Sequence, residues 1–181
     1  SKAIGMIEFK TVSAGITAAD TMVKTAQVEL LEAQTVCPGK YIALIGGALS
    51  AVQAAVEAAK QVRGEELIGS FVLGNPHESI FPAIYGSTHI EKVNAFGILE
   101  TYDAASIIVA ADVAAKTAIV DLIELRIAKG MCGKSYLILT GEVAAVEAAI
   151  GKAKQAAAKD GMYLDSSVIA HPDEQICRSI L

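Results

Sequence analysis

The sequence predicts an α/β (α+β) protein built from two tandem ferredoxin-like βαββαβ(α) domains in unpermuted order. One observation is internal duplication, since residues 3–36 return as residues 95–128 with 13 of 34 positions identical. The other is the element order of each copy, β-α-β-β-α-β-α, which is the split βαβ arrangement with an added C-terminal helix. The period exceeds that of solenoid repeats. We therefore expect domains at residues 1–88 and 93–181, with the linker inside residues 85–94.

The first half of each copy is a strand, a helix and a strand pair. Residues 3–10 are predicted as a strand. A helix over residues 13–26 comes next, with Ser13 as its expected N-cap because serine favours that position. Two β-rich runs, residues 28–35 and 41–45, come next. The Pro-Gly dipeptide in the segment between them strongly predicts a turn, and we consider this loop a candidate site.

The second half of each copy is a helix, a strand and a short final helix. Gly47 is expected to open an alanine-rich helix that runs to Gln61, followed by a strand over residues 67–73. Gly46-Gly47 then offers either backbone amides for an anion or a plain strand-to-helix turn. Pro76 is expected at the first position of the last helix, which ends near Ile84. His77-Glu78 would lie in its first turn, where the carboxylate complements the helix dipole.

Composition restricts the function classes. The net charge is −5 and no run of basic residues is present. The sequence therefore lacks the positive charge that binding to nucleic-acid phosphates requires. The apolar fraction of 53% indicates extensive interfaces. The longest uncharged stretch, residues 41–56, is too short to span a membrane and contains two glycines. The N-terminal segment lacks signal-peptide features, and we expect a cytoplasmic protein with no membrane partner.

Motifs for catalysis are weak. Gly133-Lys134-Ser135 resembles the tail of a phosphate loop, but a strand and not a helix is predicted after it. The sequence offers no Ser-His-Asp set and no cofactor fingerprint, and its three histidines are scattered. We therefore expect no enzyme activity. Aspartate and lysine recur at i,i+4 spacing as Asp20 with Lys24 and Asp112 with Lys116, which predicts a helical ion pair in each copy.

The cysteine count argues against a disulfide framework, since three is odd and the spacing is irregular. Cys37 lies in the loop of the first copy and Cys132 in the equivalent loop of the second. Either could be a metal ligand, a reactive thiol or an inert side chain. Cys177 follows Ile176 in the last helix and is expected in the core.

These residues carry a resemblance to the shell domains of bacterial microcompartments. The motifs are Ala-Ile-Gly-Met-Ile-Glu, the Ala-Ala-Asp-x-x-x-Lys helix, Pro-Gly-Lys-Tyr before Ile-Ala-Leu-Ile-Gly-Gly, and Ala-Val-x-Ala-Ala-Val after it. The resemblance covers both repeats, and Thr35-Val-Cys-Pro-Gly-Lys40 is most similar to a tandem-domain type of propanediol-utilisation shells. It implies a structural homotrimer, a pseudo-hexamer that tiles with neighbouring shell proteins into a two-dimensional layer in the cytoplasm. It also implies that Lys24 and Lys116, with Asp20 and Asp112, lie at the tile edges.

The resemblance further implies a [4Fe–4S] cluster, one per trimer, bound by Cys37 on the three-fold axis. Such a cluster would serve electron transfer or cluster transport across the shell. Cys132 is offset by one position and could add thiolates or be a bland loop residue. The pore loops implied are Val36, Cys37, Pro38, Gly39 and Lys40 in the first copy, and Met131, Cys132, Gly133 and Lys134 in the second.

Two other functions are compatible with the residues. One is a shell trimer with a plain metabolite pore and no cluster. The other is a ferredoxin-like regulatory oligomer that binds a small molecule at its Gly46-Gly47 turn.

Overall fold

The computed structural model describes residues 2–181, which form two compact units. The first unit ends at Pro76 and the second begins at His77. No helix in this described part is long and apolar enough to cross a lipid bilayer.

The first unit is a four-stranded antiparallel sheet with two helices, in the order β2-β3-β1-β4. This is the ferredoxin-like strand order, as predicted. A 3-10 turn, Gly64–Glu66, precedes the last strand. The elements are β1 (Lys2–Phe9), α1 (Val12–Thr25), β2 (Glu29–Val36), β3 (Lys40–Ala48), α2 (Leu49–Gln61) and β4 (Leu67–Gly74).

The core of the first unit lies between β1 and the two helices. Strand β1 is central and almost wholly buried, and its Ile7 and Phe9 pack in one cluster with helix residues. Gly5 permits this close packing, because a Cβ there would lie 2.7 Å from side-chain atoms of Val52 and Val56. Gly97 repeats the arrangement in the second unit. The shared glycine therefore reflects close helix-to-sheet packing in both copies.

The second unit has the same sheet, in the order β6-β7-β5-β8. It also contains a short helix that belongs to the first repeat by sequence and packs against β6 and α4. Its Ile80 and Ala83 are fully buried. The elements are α3 (Ile80–Ile84), β5 (Ala95–Thr101), α4 (Ala104–Thr117), β6 (Val120–Arg126), β7 (Ser135–Gly141), α5 (Val143–Lys159), β8 (Tyr163–Ala170) and α6 (Glu174–Ile180).

Two helix starts in the first unit differ from the prediction. Helix α1 is capped by Thr11, whose hydroxyl accepts a hydrogen bond from the Ala14 N–H at 3.4 Å, so that Ser13 lies inside the helix. Strand β3 continues to Ala48, and Gly46 and Gly47 pair with β1 inside the sheet. Their amides therefore do not form a helix N-terminus. The predicted strand-to-helix turn and the alternative anion site at this pair are both wrong.

The two terminal helices of the repeats also differ from expectation. Helix α3 begins at Ile80 and not at Pro76, and the backbone N–H of His77 ahead of it donates to the side chain of Asp112 on α4. Glu78 therefore precedes the helix. Helix α6 has no buried residue, and Cys177 on it is half-buried and not part of the core as we expected.

Candidate functional site

The loop that carries Cys37 is a tight turn at the tip of the β2–β3 pair. Val36, the last residue of β2, pairs with Lys40, the first residue of β3, and the Gly39 N–H donates to the Val36 carbonyl at 3.0 Å. Gly39 has a φ of 92°, which glycine adopts without strain. The Cys37–Pro38 peptide bond is cis. The Cys37 thiol is half-buried, so the turn presents one partly accessible sulfur per chain.

A buried ion pair fixes the base of this turn. The Lys40 ammonium binds the carboxylate of Glu8 on β1, and the side chains are only 15% and 1% exposed. Glu8 lies opposite Ile42 in the sheet, so the pair ties the turn to the central strand. A buried carboxylate needs such a partner, because leaving its charge uncompensated in the interior is costly. Lys40, which was predicted as a pore-loop residue, therefore also holds the loop in place.

The equivalent loop of the second unit has a different conformation. Strand β6 ends at Arg126 and β7 begins at Ser135, so this loop is longer than the Cys37 turn. Cys132 is exposed and adopts a φ of 54°, and Gly133 follows with a φ of 88°. The Lys134 N–H donates to the Met131 carbonyl at 3.1 Å. Cys132 thus occupies a different kind of turn from Cys37.

The ion pair at the first loop is not reproduced at the second. The repeat aligns Glu100 with Glu8 and Lys134 with Lys40, but the ion pairs within residues 2–181 do not include one between Glu100 and Lys134. The two loops are therefore anchored differently, although Gly39-Lys40 of the first aligns with Gly133-Lys134 of the second.

A polar cluster that we did not predict lies at the base of the second loop. The Arg126 guanidinium donates to Glu124 Oε1 at 2.8 Å, and the Tyr136 hydroxyl donates to Glu124 Oε2 at 2.8 Å. Burial, followed by the hydrogen bond to Glu124, raises the pKa of Tyr136. The same carboxylate raises the pKa of Arg126. The alternate positions of Glu124 and Arg126 on one strand were the signal that sequence reasoning passed over.

The two aspartate–lysine pairs form as predicted, but their surroundings differ. Asp20 and Lys24 are 2.6 Å apart and their side chains are 55% and 73% exposed. Asp112 and Lys116 are 2.7 Å apart, with Asp112 only 5% exposed. Asp112 also accepts a hydrogen bond from the backbone N–H of His77 at 2.7 Å. Asp112 is therefore a buried packing residue of the second unit as well as a partner of Lys116.

The donors within one chain do not make a complete metal site. Within residues 2–181, no group of three or more His, Cys, Asp or Glu side chains could hold a metal ion. Gly133-Lys134-Ser135 leads into strand β7, which confirms that it is not a phosphate loop.

Comparison with known proteins identifies relatives of both units. The model of the BMC domain matches residues 3–76 and 95–172. The bacterial microcompartment shell protein PduT of Citrobacter freundii is 39% identical over 181 residues, which covers 100% of this chain and 98% of that protein. The carboxysome shell protein CcmK2 of Synechocystis is 38% identical over 84 residues, 44% of this chain and 82% of that protein.

A solved structure agrees with this match. The crystal structure of a microcompartment protein from Desulfitobacterium hafniense superposes with a TM-score of 0.91 at 46% identity, and 98% of each chain is covered. A fused permuted hexameric shell protein has a TM-score of 0.65 at 21% identity, which shows a similar fold. The similarity therefore extends over both units.

Proposed function

This chain belongs to the BMC domain family of bacterial microcompartment shell proteins, and on that premise we propose that its homotrimer is a shell tile that binds a [4Fe–4S] cluster through Cys37. The family is structural and non-enzymatic. The proposed tile is a closed pseudo-hexamer of three chains. It packs beside other shell proteins in a two-dimensional layer.

The observation that carries the cluster is the position of the Cys37 thiol. It lies, half-buried, in a rigid turn whose ends are held by paired strands and by the Lys40–Glu8 ion pair. Iron–sulfur clusters are bound by cysteine thiolates. One chain supplies a single sulfur at this turn, and closed three-fold symmetry brings three copies of it to one axis. The donor chemistry of the turn thus fits a cluster shared among subunits.

The residues around Cys37 have separate roles in this proposal. The three Cys37 thiolates would hold the cluster, with one iron left for a further ligand. Gly39 has no atom within 4 Å of where its Cβ would be. Because glycine has no side chain, it would allow the three loops of the proposed trimer to approach one another closely at the axis. The Lys40 ammonium is directed to Glu8, so it stabilises the turn from inside the unit. When bound, the cluster supplies one-electron redox chemistry, which suits electron transfer across the shell or transport of the cluster itself.

Cys132 is assigned no ligand role. Its side chain is exposed in a longer loop with a different backbone, and it aligns with Pro38 and not with Cys37. The similarity to the bacterial microcompartment shell protein PduT supports a microcompartment shell as the setting, and the chemistry of the turn is independent of the encapsulated pathway.

The test is anaerobic purification followed by iron quantitation and electron paramagnetic resonance. We expect about four irons per trimer in the wild type and a cluster signal after reduction. Cys37→Ser should lose both, because serine does not replace a thiolate ligand. Cys132→Ser is the matched control, since it changes the other loop sulfur, and it should retain iron and signal.

Two results would contradict the cluster. Iron and signal that survive Cys37→Ser would exclude this residue as the ligand. A wild-type trimer that takes up no iron, even after anaerobic reconstitution, would instead support a shell tile with a plain metabolite pore.

A further inference from the structure

One surface of the first unit is exposed where its equivalent in the second unit is buried. In the second unit Ile108 and Leu122 have no exposed surface, whereas the aligned Ile16 and Leu30 are 52% and 45% exposed. The differences concentrate on α1 with β2 and on α4 with β6. The aligned positions are Ile16 and Ile108, Asp20 and Asp112, Val23 and Ala115, and Leu30 and Leu122.

Helix α3 packs against the elements that carry this buried surface in the second unit. It packs against β6 and α4, and its Ile80 and Ala83 are fully buried there. Just before the helix, the backbone N–H of His77 donates to Asp112 Oδ1 at 2.7 Å. Asp112 Oδ2 binds Lys116, so each carboxylate oxygen has a separate partner.

Helix α6 is the repeat counterpart of α3, but within residues 2–181 none of its own residues is buried. Aligning Pro76 with Pro172 puts Ile176 in the place of Ile80 and Asp173 in the place of His77. Ile176 is 48% exposed, and no residue of α6 is buried. One chain thus presents an uncovered apolar helix and, on α1 and β2, an uncovered copy of the surface that such a helix covers.

We propose that α6 of one chain packs against α1 and β2 of a second copy, and that Asp20 there accepts a hydrogen bond from the backbone N–H of Asp173. Asp20 has the required geometry, because its Oδ2 binds Lys24 as Asp112 Oδ2 binds Lys116. Within residues 2–181, Asp20 Oδ1 and the Asp173 N–H have no hydrogen-bond partner. The second copy supplies each of them.

This junction is heterologous, so it repeats head to tail until the ring closes. The inference rests on the homotrimer proposed above and identifies the residues that join its subunits. It also assigns Asp20 to the joint between subunits, in addition to the tile-edge position that the family resemblance suggests for it.

The charges at the two kinds of junction differ. Within the second unit, the residue that donates to aspartate is His77. Between copies it is Asp173, whose carboxylate accepts from the Gln175 N–H. The acceptor atom and not the negative charge is what this junction needs from Asp20.

The experiment compares Asp20→Ala with Asp20→Asn by sedimentation velocity over a dilution series, with subunit exchange followed by native mass spectrometry. Alanine removes the acceptor and should weaken each junction and accelerate exchange about tenfold, because the hydrogen bond from the Asp173 N–H is lost. Asparagine keeps Oδ1 as an acceptor and should remain near the wild type. Asp160→Ala, a change at an exposed aspartate at the end of α5, is the control.

A second variant probes the apolar half of the contact. Ile176→Asp should dissociate the ring into single chains. These chains should remain folded, with the circular dichroism spectrum of the wild type, because Ile176 is not part of the core. Exchange rates of Asp20→Ala and Ile176→Asp equal to the wild type would overturn the docking. A wild type that stays monomeric at all concentrations would overturn the homotrimer as well. Loss of the cluster in Cys37→Ser tests the cluster alone and is independent of both the docking of α6 and the homotrimer.

Discussion

At the scale of single residues, the turn that carries Cys37 depends on one buried pair. Glu8 lies in the central strand with 1% of its side chain exposed, and Lys40 closes the turn above it. The corresponding residues of the second copy, Glu100 and Lys134, align with these in sequence without repeating the contact. Identical residue types therefore stabilise one loop and leave the other to different contacts.

Substitution of Lys40 tests this dependence. Lys40→Met keeps the aliphatic stem but removes the cation, and we expect the free energy of unfolding to fall by about 3–5 kcal/mol, as when one member of a buried pair is deleted. The measurement is urea denaturation at fixed protein concentration.

Two companion variants separate charge from packing. Lys134→Met is the matched control, and its effect should stay within about 0.5 kcal/mol. Adding Glu8→Gln to Lys40→Met should recover much of the loss, because no buried charge remains. Equal effects of Lys40→Met and Lys134→Met would show that the ion pair contributes little.

The tyrosine at the second loop gives a pH dependence. The pKa of Tyr136 is raised from its ordinary value of 10.0 by burial and by its hydrogen bond to Glu124. Because the folded protein holds this proton more tightly than the unfolded chain, the stabilisation is present in full below a pH of about 10 and is lost as the pH rises through the folded pKa.

Tyr136→Phe should therefore lessen the fall in stability above a pH of about 10. Thermal unfolding measured at successive alkaline pH values shows the difference, and Tyr102→Phe, at an exposed site, is the control. Parallel curves for the wild type and Tyr136→Phe would contradict the assignment.

At the scale of elements, helices α1 and α4 carry the lysines that we place at tile edges. Lys24 is 73% exposed and Lys116 is 42% exposed, so Lys24 has more freedom to reach a neighbouring tile. Lys116 shares Asp112 with the backbone of His77, and its removal would also disturb the packing of α3.

Electron microscopy of two-dimensional sheets tests this edge assignment. Lys24→Ala and Lys116→Ala should each disperse the sheets while the trimers persist in sedimentation, with the cleaner separation for Lys24→Ala. Lys152→Ala alters an exposed lysine on α5 and should leave the sheets intact. Sheets that are unaffected by either edge substitution would refute the assignment.

Most elements could be predicted from the sequence, because two copies of one pattern support each other and β-rich runs alternate with alanine-rich helices. The misses lie where local signals are equivocal. Thr11 and Ser13 are both good cap residues, and Gly46-Gly47 is compatible with a turn or with a sheet interior. The contact just before α3 was unpredictable for another reason, since the His77 N–H bonds to a carboxylate 35 residues away in the chain.

The candidate site could be predicted only in part by the same reasoning. The loops and their cysteines follow from turn punctuation and from the repeat. The burial of Glu8 and the cluster around Tyr136 do not, because each depends on which side of a strand faces the interior beneath a loop. Cys177 is expected in the core because it follows Ile176 in the last helix, but no residue of α6 is buried within residues 2–181.

At the scale of the whole molecule, duplication allowed one copy to change without the other. A ring of six identical domains would present six identical loops at its axis, whereas the trimer proposed above would present three of each kind. Cys37 can therefore be retained in one set while the other set is free to vary, as the longer Cys132 loop shows.

The burial of α3 against β6 and α4 also affects how assembly depends on protein concentration. If the ring proposed above forms, three of its six equivalent junctions would be made by α3 within single chains, at the high effective concentration that a covalent connection provides. Only the other three require separate molecules to meet. Ring closure is thus a three-body assembly whose concentration dependence is far shallower than that of a tile made from six separate domains.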